Sequence, residues 1–249
     1  MLAALLGGCG ASEGVSAPTL PVGAGPQVEI ITSVPEASGI GDSAARPLSV
    51  IAHALGPAVV ARAEPTEAAE VVAELANPIA SGSELVFLVA EEESTDSDWV
   101  HVLLPVTPNG TTGWVRRDEV TLTNNPYRVE IDRASFSLRV FDLDQVIVET
   151  TIGVGTGETP TPVGDFYLLE LLAPPDPSGP YGPYAFGLSG FSEVLEDFGG
   201  ADTAVIGLHG TNDPASLGTN ASHGCIRLAN EVIVDLAERL PLGTPVHIT

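Results

Sequence analysis

Lysine is absent from this 249-residue chain, and all nine basic residues are arginine. A P-loop, a Schiff-base enzyme and a Ser-x-x-Lys acyl-enzyme each need a lysine, so all three are excluded. With 9 basic against 33 acidic residues and a net charge of −24, the clustered cations that grip phosphate backbones are missing too. No nucleic-acid partner is expected. No run approaches the roughly 20 apolar residues of a membrane span. Cysteine is nearly absent: only Cys9 and Cys225 occur, too few for a disulfide framework. Nothing in the pattern implies a cofactor, and nothing speaks to oligomeric state.

Apolar residues form 44% of the chain, enough for a core, while 27 glycines and 21 prolines favour short strands and turns over long helices. The first nine residues, ending Leu6-Gly7-Gly8-Cys9, resemble the end of a bacterial lipoprotein signal, with small residues before a cysteine that would be lipidated. The charged n-region of such a signal is not seen. Acylation of Cys9 would leave Cys225 unpaired, so its thiol stays free in an extracytoplasmic setting, which the acidic surface suits. Residues 10–56 are rich in Gly, Ala, Ser and Pro and read as a linker in which only Val28–Val34 and Leu48–Leu55 can order locally.

Residues 57–123 change to short β-type runs separated by turn clusters, with Asn109-Gly110 suited to a tight hairpin. The pieces Trp99–Pro105 and Gly113-Trp114-Val115 resemble the closing strands of a bacterial SH3-like barrel. That resemblance implies that Trp114 packs the small core. It also implies a cell-wall-binding module or a purely structural barrel.

Period-2 runs return after residue 126: Tyr127–Asp132, Ser137–Asp142, Gln145–Val154, Phe166–Leu172, Ala204–Leu208 and Pro245–Ile248. One helix is predicted after Asn230, read as its cap. Val232, Ile233, Leu236, Ala237 and Leu240 form its apolar stripe, and Pro241 and Gly243 end it. The fold class is therefore mainly β, a β-rich domain over 126–249 with one packed helix, preceded by the small barrel.

The chemistry concentrates in two runs, Ile206-Gly207-Leu208-His209-Gly210-Thr211 and Ser222-His223-Gly224-Cys225-Ile226-Arg227. A thiol becomes nucleophilic when positive charge or a helix N-terminus stabilises its thiolate, and His223, Arg227 and the coming helix are all close in sequence. Gly224 lets the backbone turn so that amide N–H groups face a substrate carbonyl. A metal site from His209, His223, Cys225 and Asp213 matches no common zinc spacing, so no metal is expected.

These two runs, with Thr159-Pro160-Thr161-Pro162-Val163-Gly164-Asp165-Phe166, resemble the L,D-transpeptidases, cysteine enzymes that cross-link peptidoglycan. Val163 is one residue more than the usual Thr-Pro-x-Gly-x-Phe pattern holds. The resemblance implies Cys225 as nucleophile, His209 as proton donor and acceptor, the Gly210 carbonyl as orienter of the imidazole, and backbone N–H groups at Gly224 and Cys225 as oxyanion donors. Ser222, His223 and Arg227 would shape the substrate pocket, Arg227 against a carboxylate. The segment Tyr181–Phe186 would lie over it, with Tyr184 against substrate. Partners would be peptidoglycan stem peptides, with the membrane reached only through a lipid on Cys9. Two alternatives stand beside this: a peptidoglycan cysteine peptidase, disfavoured because His209 precedes Cys225, and a non-catalytic wall-binding lipoprotein.

Overall fold

A computed structural model describes residues 48–90, 97–195 and 204–249; Cys9 and Val28–Val34 lie outside the described residues. The described residues build two large sheets and a separate pair of short strands. The first contains β1 (Ser49–Ala54), β2 (Ala58–Arg62), β3 (Val71–Ala76), β4 (Val86–Val89), β5 (Trp99–Leu103), β6 (Thr112–Arg116) and β7 (Val120–Asn125). Its order is β3-β2-β6-β5-β4-β1-β7, antiparallel throughout. Alternation along these strands sends Val59, Ala61, Phe87, Val100, Val102 and Val115 into a buried cluster.

Ser49–Ala54, in the stretch of the linker span expected to order locally, is an integral strand, pairing with β4 and β7 on either side. Two other expectations differ from the structure. Trp114 does not fill the core. It is only partly buried and stacks on His101 with ring centroids 4.5 Å apart, while its neighbours Gly113 and Val115 point inward. Period 2 makes this unavoidable, since Val115 and Trp114 must take opposite faces. Asn109-Gly110 does not close a two-residue hairpin, because the β5–β6 connection runs from Leu104 to Thr111. The pair sits instead in a turn closed by Thr111 N–H donating to Pro108 O, and the Asn109 side chain reaches Phe191 N–H and C=O across the molecule.

The second sheet holds β8 (Tyr127–Asp132), β9 (Ser137–Asp142), β10 (Gln145–Thr151), β12 (Gly164–Leu172), β13 (Ala185–Phe191), β14 (Val205–His209), β16 (Ile226–Arg227) and β17 (Pro245–Ile248). Its order is β10-β9-β8-β17-β12-β13-β14-β16, and β11 (Val154–Gly155) pairs separately with β15 (Asn220–Ser222). β17 runs parallel to β8 and antiparallel to β12, so His247, expected at an edge, lies on a central strand, where its Nδ1 sits 2.6 Å from Asp165.

Helix α1 (Asn230–Arg239) lays Val232, Ile233 and Leu236 against this sheet, joining Leu168, Phe186, Leu208 and Ile226 in one buried cluster. Each fully buried aliphatic side chain there contributes on the order of 1.5–3 kcal/mol. Asn230 is not the helix cap. Ala229 holds that position, and among the described residues no side chain caps the helix. Where the two sheets meet, Ile51, Val86, Leu103 and Tyr167 form a third apolar cluster. Among the described residues no helix is long and apolar enough to cross a membrane.

Candidate active site

The site lies on the outer face of four neighbouring strands, and alternation decides who faces it. On β14, Ile206 and Leu208 enter the core, while Val205, Gly207 and His209 line a cavity of about 440 Å³. On β13, Phe186 and Leu188 pack the core. Their alternates Ala185 and Gly187 line the cavity. β16 runs parallel to β14 with Leu208 opposite Ile226, which sets Cys225 level with Gly207.

The sulfur and the imidazole meet over Gly207. Gly207 N–H donates to Cys225 Sγ at 3.4 Å. A Cβ placed on Gly207 would touch His209 Cδ2 at 3.4 Å and Sγ at 3.6 Å. Both side chains therefore share the space above one bare backbone unit. His209 is 4% exposed, and its Nδ1 lies 2.6 Å from Gly210 O. A carbonyl only accepts, so Nδ1 carries the proton and Nε2 is left as the basic nitrogen.

Electrostatics differ from the sequence expectation of a resting thiolate. Burial pushes the Cys225 thiol above its ordinary range, against smaller opposing effects of the Gly207 N–H and Arg227. Burial pushes His209 below its ordinary range, Arg227 adding to this and the Gly210 carbonyl opposing it. Both shifts favour a neutral thiol beside a neutral imidazole, so the proton leaves sulfur only when chemistry demands it.

The loop carrying Cys225 is fixed from behind. Gly224 adopts φ +116, a conformation L side chains avoid. Its N–H donates to Ser222 Oγ at 3.1 Å, so this amide is engaged inside the loop and not turned outward as expected. Ser222, 3% exposed, also donates to Cys225 O at 2.5 Å, which makes it a brace for the nucleophile loop. Thr161, 1% exposed, accepts from Gly155 N–H at 2.9 Å and donates to Gly224 O at 2.8 Å. The Thr-Pro segment thus clamps the cysteine turn.

Of the remaining expected residues, His223 is exposed, and neither it nor Arg227 lines the cavity. Arg227 stands level with His209 in the strand register, its Cβ close to Gly153 and its Nε buried without a partner among the described residues. Tyr184 packs against the core, and its carbonyl accepts from Gly210 N–H. Tyr181, the first residue of the segment expected over the site, stands edge-on to His209 with ring centroids 4.9 Å apart. Burial, then the neighbouring Cys225, raises the Tyr181 phenol above its ordinary range. The sequence missed Asn230. Its Oδ1 accepts from Thr211 N–H at 2.8 Å. Only a long-range contact reveals this, since locally the residue reads as a cap. Among the described residues, no group of three or more His, Cys, Asp or Glu could hold a metal ion.

Fold and site together define a β-sheet protein bearing a thiol–imidazole pair on adjacent parallel strands. Residues 126–248 match the family described as the L,D-transpeptidase catalytic domain, YkuD. A Bacillus licheniformis protein named as the L,D-transpeptidase YkuD is 36% identical over 124 residues, covering 50% of this chain and 66% of that protein. A Bacillus subtilis protein named as the L,D-transpeptidase YqjB is 34% identical over 143 residues, covering 53% of this chain and 75% of its own length. Among solved structures, an L,D-transpeptidase from Mycobacterium smegmatis overlaps 66% of this chain and 90% of its own, with 17% identity and a TM-score of 0.42. The chain belongs to the L,D-transpeptidase family. It spans just under two thirds of the YkuD relative's length.

Proposed function

We propose that this protein is a peptidoglycan L,D-transpeptidase working through a Cys225 thioester. One observation carries the reading: the Cys225 sulfur and the His209 ring share the space over Gly207 in one cavity, with Nδ1 committed to the Gly210 carbonyl. His209 Nε2 takes the thiol proton as sulfur attacks the carbonyl of the third residue of a stem tetrapeptide. The tetrahedral oxyanion forms beside the Cys225 amide, since the Gly224 amide serves Ser222. His209 then delivers the proton to the departing D-alanine amine, leaving a thioester. An acceptor amine on a second stem attacks that thioester, His209 removes a proton from it, and the thiol is restored as the new peptide bond forms. Water in place of the amine gives hydrolysis.

Two further parts belong to this reading. The first sheet is an SH3-like wall-binding module, a reading supported by its seven short antiparallel strands, although Trp114 lies outside their core. The protein acts outside the cytoplasm, tethered through lipid on Cys9.

Cys225→Ala should abolish D-alanine release from a tetrapeptide without altering the far-UV circular dichroism spectrum, and a carbapenem should add one covalent mass to the wild type only. Retained release by the variant would remove Cys225 from the mechanism. In cells, deletion should deplete 3→3 cross-links from wall digests.

A further inference from the structure

The strand registers set two rows of residues across the active face. One runs Glu170, Gly187, Gly207, Cys225; the next runs Leu172, Ala185, His209, Arg227. Glu170 reaches this face through a bulge. Leu168 pairs with Leu188, but Glu170 pairs with Gly187, so Leu169 is the extra residue on β12. Before the bulge Leu168 points into the core; after it Leu171 does so, and Glu170 and Leu172 line the cavity. Bulges beside active sites commonly re-aim a side chain in this way.

The carboxylate and the sulfur then face each other across a floor of two glycines. A Cβ on Gly187 would lie 2.5 Å from Glu170 Oε1, just as one on Gly207 would lie 3.6 Å from Cys225 Sγ. The two groups are separated by one to two strand spacings, roughly 5–9 Å. The walls around them are mostly apolar, with Leu172, Ala173, Pro174, Pro175 and Val205, and Tyr181 adds one phenol. Among the described residues, no ion pair or hydrogen bond compensates Glu170. A single half-buried carboxylate at the edge of a mostly apolar cleft is placed to pair with a cation on whatever fills that cleft.

We propose that Glu170 is a specificity-determining residue that binds a primary ammonium group of the substrate while Cys225 engages the substrate carbonyl. This rests on the transpeptidase reading. Six bonds separate the carbonyl carbon of a 2,6-diamino acid from its far nitrogen, roughly 7 Å when extended. A side-chain ammonium on the acylated residue therefore reaches Glu170 once the carbonyl stands near the thiol. The acceptor amine carries the same chemistry, and the experiment separates the two.

Binding is measured by calorimetry in a Cys225→Ala background, with no turnover required, using a diaminopimelate tetrapeptide and its side-chain N-acetyl derivative. Glu170→Gln should weaken binding of the free-amine peptide roughly 10- to 100-fold. It should leave the acetylated peptide unchanged, so the preference disappears. Gly187→Ala, which pushes the carboxylate aside, should act in the same direction. A second arm acylates Cys225 in the active enzyme and partitions the thioester between water and an amine. If Glu170→Gln alters only that partition, the bound ammonium is the acceptor's, and the proposal stands with that source. Unchanged amine preference in both arms overturns it. Loss of D-alanine release in the wild type would instead sink the transpeptidase reading, while the calorimetry still judges Glu170.

Discussion

Replacing Asn230 by alanine tests how the imidazole is held. Asn230 Oδ1 accepts from Thr211 N–H at 2.8 Å, and Gly210 O accepts from His209 Nδ1 at 2.6 Å. That carbonyl and that N–H belong to one peptide unit, so the helix side chain and the imidazole are joined through a single polarised plane. In Asn230→Ala the Thr211 N–H loses its acceptor in a partly buried place, at about 1–3 kcal/mol. At roughly 2–4 °C per kcal/mol for a chain of this size, the thermal midpoint should fall measurably. The peptide plane is also freed to rotate. If the same energy is spent in misorienting the ring, acylation slows about 10- to 100-fold, since each 1.36 kcal/mol is a factor of ten.

Asn230→Asp separates orientation from bulk. Its carboxylate still accepts from Thr211 N–H, and an acid in the first turn suits the helix N-terminus. Stability should be kept, while the added negative charge favours the imidazolium and moves the acidic limb of the acylation profile to higher pH. Stopped-flow acylation by a carbapenem from pH 5 to 9 reads both effects. An alanine variant with wild-type acylation rate and midpoint would refute the peptide-plane argument.

Stability should also depend on pH through the buried pair. His209 has a folded pKa below its ordinary value of about 6.5, so the unfolded chain binds more protons as pH falls below that value, and stability is lost there. Cys225 has a folded pKa above the ordinary thiol value of about 8.5, so the unfolded chain deprotonates first and stability declines as pH rises beyond it. Denaturant titrations should therefore show His209→Ala flattening the acidic slope and Cys225→Ala the alkaline one; the opposite pairing would reverse the reasoning. Thr161→Val should destabilise by about 2–4 kcal/mol in urea, because the Gly155 N–H and Gly224 C=O both lose their partner. It should also slow thiol alkylation by iodoacetamide, and an unaffected rate would detach the Thr-Pro segment from the site.

What could be read from the sequence follows from how local each determinant is. β8, β9 and β17 have the bounds their alternation gives, because one face of each is buried and the pattern needs no partner to be seen. β13 is not among the runs the alternation picks out, since its glycines answer to other strands. Gly187 lies under Glu170, and a Cβ on Gly190 would strike Phe166 at 2.4 Å. Asn230 shows the same conflict, where a local capping rule lost to a contact 19 residues away. The pair His209 and Cys225 was legible as chemistry because both residue types are scarce in this chain. The neutral state of that pair was not, since it depends on burial that no spacing encodes.

The order of the two motifs also has a structural reason. β14 and β16 are parallel neighbours, so both chains cross the cleft in the same direction, and His209 ends the first strand while Cys225 enters the second. A residue at the end of one strand can stand beside a residue before the next only if the chain between returns to the starting edge. Residues 210–224 do this, and they are held on the way by Asn230 at Thr211 and by Thr161 at Gly224. The imidazole and the thiol are thereby each fixed by a ladder on one side and by side-chain clamps on the other, Asn230 for the first and Thr161 with Ser222 for the second. Such a site owes its geometry to register, so shifting either strand by one residue would turn its reacting group into the core.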